Sequence, residues 1–334
     1  MTERRHKRVT SVDIAKAAGV SQSTVSRALA NDGRISEVTR REIKKIAARL
    51  GYTPNEMARS LQTRKSNMVG VIMADLQNPY YPAVLETMTQ KIHAMGRQLL
   101  LLSVPAGLTV DEMLPSMLRY QVEGIVITSA VLSSRMHDHL RNLNTPVVLF
   151  NRSVESFFIN SVCCENLVAS RNVADLLVRG GSRRVAFIGG HVDTSTHRER
   201  RIGLQEGLRQ HGLDIVSEDV GGNSYEGGYR AALKLLSATP RPDAIFCIAD
   251  VMALGALDAA RSELGLSVPG DVSIVGFDDI PVAAWPAYNL TTVRQPSESM
   301  VNKALSLLFE PKGSPPAAVR VPGELIIRGS ARLG

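Results

Sequence analysis

Residues 9–30, VTSVDIAKAAGVSQSTVSRALA, permit few folds. Ile14, Ala15 and Ala18 share one face of a helix over Asp13–Ala18, and the small alanines let a second helix cross closely. Gly19 closes that helix where a positive φ is needed. Ser21 is a good N-cap for the next, whose buried stripe is Val25, Ala28 and Leu29. Gln22, Ser23, Ser26 and Arg27 are left outside. This is a helix-turn-helix pattern, and Arg40–Leu50 (RREIKKIAARL) supplies a third helix with Ile43, Ile46, Ala47 and Leu50 turned inward. Gly51-Tyr52-Thr53-Pro54-Asn55 then reads as a turn that starts a fresh helix. That helix, Asn55–Leu61, is only about two turns long and too short to be stable alone.

Charge is divided unevenly along the 334 residues. Residues 1–65 hold 15 Lys or Arg against 6 Asp or Glu, a net of +9, which leaves 24 basic and 26 acidic residues for the rest. A small basic head on a near-neutral body is the footprint of a nucleic-acid-binding module joined to something else. An α-helix fits the DNA major groove with its first turns at the base edges. There Gln22 can pair with adenine, Arg27 with guanine, and Ser23 with either. Thr10, Ser21, Ser36 and Thr39 are short donors suited to phosphates, which position without specifying. Ser26 and Arg34 complete the candidate set.

After a polar connector the pattern changes. Apolar runs at 68–74, 98–103, 124–128 and 147–150 alternate with helical segments at 83–95, 110–120 and 134–143, a doubly wound α/β lobe. A second lobe repeats this, with strands at 185–189, 244–248 and 272–277 and helices at 167–179, 198–211, 227–237 and 250–264. Residues 299–309 read as a further helix and 324–328 as a strand. Two such lobes form a clamp, and ligands of parallel sheets bind beyond the carboxyl ends of the strands. Polar residues recur at those ends: Asp75, Asn78, Asn151, Arg152, His191, Thr194, Thr196, Asp250, Asp278 and Asp279.

The chain resembles the lactose-repressor/galactose-repressor (LacI/GalR) family of bacterial transcription regulators. The matching residues are Val9-Thr10 with Asp13-Ile14-Ala15, Ala18-Gly19-Val20-Ser21, Thr24-Val25-Ser26-Arg27, Gly51-Tyr52 with Pro54-Asn55, and Ala58-Arg59-Ser60-Leu61. The resemblance implies that Gln22, Ser23 and Arg27 read bases. It also implies that Asn55–Leu61 is a hinge helix paired with its dimer mate in the minor groove, where Leu61 wedges between base steps and Ala58 permits close packing. For the body it implies a type I periplasmic-binding-protein-like fold, with effector contacts at Tyr80, Tyr81, Asn151, Thr196, Arg200, Asn223, Asp278 and Gln295. Arg200 and Asp278 lead that set, because a fork of donors and a carboxylate together hold vicinal hydroxyls or an acid group. Ala30 and Ala249 stand where the family usually has Asn.

The expected organisation is a headpiece at 1–61 with its hinge helix at 55–61, and a linker at 62–67. A first effector-binding and dimerisation lobe follows at 68–165 and 294–317, then a second lobe at 166–293 and 318–334. The expected partners are double-stranded operator DNA, a small effector (a sugar, sugar acid or sugar phosphate) and a second copy in a homodimer, since no leucine heptad trails the last strand. No apolar run reaches the roughly 20 residues that span a bilayer, and the basic start does not lead into a signal core, so a cytoplasmic protein without a membrane partner is expected. Cys163, Cys164 and Cys247 lack metal-ligand spacing. His191, Asp193 and His197 include no Glu-centred helical pair, and neither a nucleophile elbow nor a phosphate loop is present, so catalytic residues, metals and cofactors are not expected. A ligand-independent architectural DNA binder is the rival reading.

Overall fold

The computed structural model describes residues 9–52, 66–105, 108–128, 140, 143–153, 159–311 and 313–334. The chain divides into two compact units, Met1–Ser66 and Asn67–Gly334. The expected hinge positions Asn55, Ala58 and Leu61, most of the linker, and all but the end of the helix expected at 134–143 lie outside the described residues.

Among its described residues the head has three helices: α1 (Ser11–Ala18), α2 (Gln22–Leu29) and α3 (Glu37–Arg49). Two of them begin earlier than the apolar spacing predicts, for a capping reason. The Thr10 hydroxyl accepts from the amide of Asp13, whose carboxylate in turn accepts from the Thr10 amide, so α1 starts at Ser11. Ser36 caps α3 from four residues ahead of the first expected helical position, so α3 starts at Glu37. Gly19 ends α1 at φ 63, in the left-handed region. Ile14, Ala15, Val25, Ala28, Ile43, Ile46 and Ala47 form the core, with Ala18, Leu29 and Leu50 half-buried at its margin. So few large side chains leave little apolar area to bury, which makes each of them costly to truncate.

The second unit is built on two sheets. The first has six strands: β1 (Met68–Met73), β2 (Gln98–Ser103), β3 (Gly124–Thr128), β4 (Val147–Phe150), β5 (Asn160–Cys164) and β11 (Ala318–Val321). Their order is β11-β5-β4-β3-β1-β2 and every pairing is parallel. The second sheet, order β7-β6-β8-β9, contains β6 (Val185–Gly189), β7 (Ile215–Val220), β8 (Ala244–Cys247) and β9 (Ser273–Val275), again all parallel. Single bridges from Val275 to Thr291 and from Asp278 to Arg294 lead on to β10 (Thr292–Arg294), which pairs antiparallel with β12 (Glu324–Ile326).

Around the sheets lie α4 (Tyr80–Ala94), α5 (Val110–Leu118), α6 (Asn166–Arg179), α7 (Ser195–Gln210), α8 (Tyr225–Leu236), α9 (Asp250–Asp258) with a π-helical last turn (Ala259–Glu263), and α10 (Ser297–Leu308). The chain crosses between lobes at three places: after β5, between β10 and α10, and between β11 and β12. Helix α10 packs back on β4 and β5.

Two sequence expectations change. The lobe boundary placed at 317/318 moves, because Val319 and Arg320 stand in register with Val162 and Cys163; Ala318–Val321 is the edge strand of the first sheet, and the crossing follows it. Four strands, β5, β7, β10 and β11, went unread. β10 has three residues, while β7 and β11 are edge strands with alternating half-exposed and exposed residues. β5 is buried from Ser161 to Cys164 but opens on the polar Asn160 and Ser161, and the other three lack the buried apolar run that betrays a central parallel strand.

Candidate functional site

In the body, the polar ends of the strands meet. Tyr80, Tyr81, Asn151, Thr196, Arg200, Asn223 and Asp278 line one cavity together with Asn78, Arg152, Ile248 and Ala249. Gln295 stands behind it and donates from Nε2 to Asp278 Oδ1 at 2.6 Å. All eight expected effector residues therefore converge. Asn78 and Arg152, which the sequence marks only as strand-end residues, belong to the same lining. The signal that could have promoted them is their place immediately beyond β1 and β4.

Local backbone explains the convergence. Helices α4 and α7 each start three residues before the helical spacing predicts, which puts Tyr80 and Tyr81 on the first turn of α4 and Thr196 on that of α7. Asp75, Asn151, Asn223 and Asp278 all have positive φ, at 60, 55, 59 and 127°. Asn and Asp tolerate that region better than other residues with a side chain, so a strand can end there and turn its polar group into the cleft. Gly190 serves the same end: a Cβ there would collide with Asn223 Oδ1.

The cavity measures about 20 Å³. Room for one water takes roughly 10–15 Å³, so the lobes are closed on each other and a sugar-sized molecule requires them to part. Several contacts cross between lobes. Arg152 donates from Nη1 to Thr196 Oγ1 at 3.1 Å, and the Ser153 amide donates to Ser195 Oγ at 2.9 Å. Asn223 Nδ2 lies 3.5 Å from Asp75 Oδ2.

Arg200 organises the second lobe's side. Its Nη1 donates to Ile248 O at 2.6 Å, its Nε to Asn166 Oδ1 at 2.9 Å, and its guanidinium lies 3.5 Å from the centre of the Phe277 ring. Nη1 is 3.7 Å from Asp278 Oδ1, and both side chains are almost wholly buried. Among the described residues Arg200 Nη2, Arg152 Nε, Asn151 Oδ1 and Gln295 Oε1 have no hydrogen-bond partner. Buried polar atoms are nearly always paired, so four orphans around one cleft indicate groups set for a polar guest.

Electrostatics agree with burial. Desolvation pushes the Asp278 carboxyl up, against the pull of Arg200, Gln295, Asn78 and Arg152. Asp75 is pushed up to about 6 by burial, opposed by Arg152. Asp250 is also raised, by burial and then by Asp278, while its carboxylate caps the loop through the Ile280 amide at 2.9 Å. His197 packs edge-on against Phe187, and among the described residues no three metal-ligating side chains gather.

The head presents a different surface. Gln22, Ser23 and Ser26 are exposed and Arg27 half-exposed on the outer side of α2. Gln22 Nε2 donates to Ser11 Oγ of α1 at 3.0 Å, and Arg27 Nη2 donates to Ser23 Oγ one turn earlier on α2 at 3.2 Å. Thr10, Ser21 and Ser36 cap the three helices, and Thr39 bonds to the Ser36 hydroxyl. Arg34 holds Asp32 through Nε at 3.0 Å and Nη2 at 2.6 Å, and these bonds keep the Asp32 carboxyl far below its usual range. A phosphate at Arg34 would have to compete with that carboxylate.

Comparison with known proteins agrees with both surfaces. Residues 11–55 match the family "Bacterial regulatory proteins, lacI family", and residues 174–331 match a "Periplasmic binding protein-like domain". The Probable HTH-type transcriptional repressor ExuR of Bacillus subtilis (strain 168) is 32% identical over 91% of this chain and 93% of its own length. The HTH-type transcriptional repressor CytR of Escherichia coli (strain K12) is 31% identical over 96% of this chain and 95% of its own. Among solved structures, a lac repressor dimer bound to operator and the anti-inducer ONPF superposes with a TM-score of 0.88 at 25% identity, over 98% of this chain and 100% of that one. The complex of the transcriptional regulator CelR with cellobiose gives 0.73 at 28% identity, over 97% and 100%. With its helix-turn-helix head and its two-lobed parallel-sheet body, the chain belongs to the LacI family of bacterial transcriptional regulators and is not an enzyme.

Proposed function

We propose that the protein is a cytoplasmic, homodimeric repressor whose hold on a double-stranded operator is set by a sugar, sugar acid or sugar phosphate in the cleft. The observation that carries this reading is the buried Arg200–Asp278 pair with Arg152 beside it, whose spare Nη2 and Nε donors have no protein partner. A guanidinium and a carboxylate side by side suit a polyol or its acid derivative. The relative CelR, solved with cellobiose, supports the sugar class.

In the head, Gln22, Ser23, Ser26 and Arg27 read base edges; Thr10, Ser21, Ser36 and Thr39 position the helices on phosphates, and Arg34 does so if it releases Asp32. Asn55, Ala58 and Leu61 form a hinge helix in the minor groove, with Leu61 as the wedge. An effector can shift the lobes only by its differential affinity for their two arrangements, about 5.5 kcal/mol for a near-complete switch. Lobe motion then reaches the hinge through the connector that precedes β1.

Titration calorimetry of the full-length protein against sugars, sugar acids and sugar phosphates tests the effector half. Saturable heat from one of them is expected, together with a change in operator affinity in a gel-shift assay. No heat from any of the three classes would favour the architectural, ligand-independent reading.

A further inference from the structure

Arg200 owes its position to a chain of polar contacts that leads out of the cleft and ends on the other lobe. Its Nε donates to Asn166 Oδ1, and Asn166 Nδ2 donates to Glu199 Oε2 at 2.8 Å. Glu199 Oε1 accepts the Ser153 hydroxyl at 2.8 Å. Both Glu199 oxygens receive the fork of Arg320, Nη1 at 2.9 Å and Nη2 at 2.8 Å. Arg200, Glu199 and Asn166 belong to the second lobe, on α7 and α6. Ser153 follows β4, and Arg320 lies on β11, the edge strand of the first sheet, opposite Cys163.

The chemistry of the middle residue is restrictive. An arginine Nε–H can only donate and an ionised carboxylate can only accept, so a bridge between them must offer one acceptor and one donor. An amide does this in one orientation only, with its oxygen toward Arg200 and its nitrogen toward Glu199. Asn166 is almost wholly buried, so neither half can turn to water instead. The outer link is a bidentate, charge-assisted pair, the strongest and most directional kind of side-chain contact. Glu199 is 15% exposed and Arg320 37%, so the pair sits at the edge of solvent beside two of the crossings, after β5 and after β11.

We propose that Asn166 and Glu199 are positioning residues that hold Arg200 in its effector-facing pose and, through Ser153 and Arg320, tie that pose to the arrangement of the lobes. When the lobes turn about the crossings, β11 moves relative to α7 and the Arg320 fork slips on Glu199. The Asn166 amide then loses its anchor and Arg200 its fixed Nε bond. Effector binding, which holds Arg200 from the cleft side, favours the arrangement in which the fork is closed. The proposal rests on the cleft being the effector site only in this last step.

The test uses the full-length protein with 15N-labelled arginine. The Nε–H signal of Arg200, assigned by its loss in Arg200→Lys, should exchange slowly with solvent. Arg320→Gln, a change at a partly exposed residue remote from the cleft, should speed that exchange about tenfold and leave the amides of β8 unaffected. Arg320→Lys, which keeps the charge without the fork, should restore part of the protection. Exchange equal to wild type in Arg320→Gln, or a parallel rise in the β8 amides, would overturn the proposal. D-Glucuronate serves as the ligand probe: if it binds, Arg320→Gln should weaken it about tenfold, and unchanged affinity would overturn the coupling. If the wild type ignores D-glucuronate while Arg320→Gln still speeds exchange, positioning stands and the reading of the cleft as a site for this sugar acid fails.

Discussion

In the head, Gln22, Ser23 and Ser26 stand in solvent along α2, above a core of seven small and medium side chains. In the body, Arg200 and Asp278 are 4% and 3% exposed, shut behind the ends of two sheets. The contrast is what the two proposed ligands would require. DNA is a rigid polyanion that the reader must approach from outside, so its contacts are exposed, weak singly and sensitive to salt. A small polar metabolite offers few atoms, so the protein gains affinity only by desolvating and orienting every group it uses. Charge on the head therefore acts as a field, and charge in the body as a set of fixed directions.

The largest expected effect sharpens this contrast. Arg200→Ala leaves Asp278 buried without its guanidinium and should cost about 3 kcal/mol of body stability in urea unfolding, with effector response lost and operator binding kept. A retained response would move the site elsewhere. Ile14→Ala should cost about 2–4 kcal/mol within the head alone. Calorimetry of the full chain should show the head transition falling and the body transition standing still; a shift in both would end the idea of two independent units.

Arg27→Ala should weaken binding by about 1–3 kcal/mol per half-site and relax preference at one base pair. An equal loss on every sequence, with a shallower salt dependence, would mark Arg27 as a phosphate contact and not a reader. The smallest effect concerns Asp75. Its folded pKa, about 6, lies above the unfolded value of 3.8, so the native state holds an extra proton between those pH values. The stability this gives is full below pH 3.8 and is lost as pH rises through about 6. Asp75→Asn should thus gain about 1–2 kcal/mol on the wild type between pH 4 and pH 7 in denaturant midpoints. A constant gap between the two would show that Asp75 is solvated like a surface carboxylate.

The head was legible because its information is local. Gly19, Ser21 and the spacing of Ile14, Val25 and Ile43 determine turn, cap and core within a few residues of each other, and only the capping by Thr10 and Ser36 shifted the helix starts. The central strands other than β5, which opens on Asn160 and Ser161, were legible for a similar reason, since a strand buried on both faces is apolar nearly throughout. Edge strands carry no such demand. For that reason Ile215–Val220 and Ala318–Val321 stayed hidden, and the lobe boundary was drawn too early.

The cleft was half legible. Polar residues after strands could be marked one by one, and the family resemblance named eight of them, yet Arg152 and Asn78 remained ordinary loop residues until the lobes were brought together.

The sequence by itself determined that a basic helix-turn-helix precedes a two-lobed α/β body, because helix period, caps and buried strands are written in neighbouring residues. Only the tertiary structure decided which side chains far apart in sequence share a cavity or a guanidinium. Arg200 meets Asn166, Ile248 and Asp278 because α6, α7 and the ends of β8 and β9 pack together within one lobe, while Arg152 meets Thr196 because the crossings fold the other lobe's strand ends against them. Those meetings depend on desolvation and on directions of approach, which exist only once the backbone has closed around them.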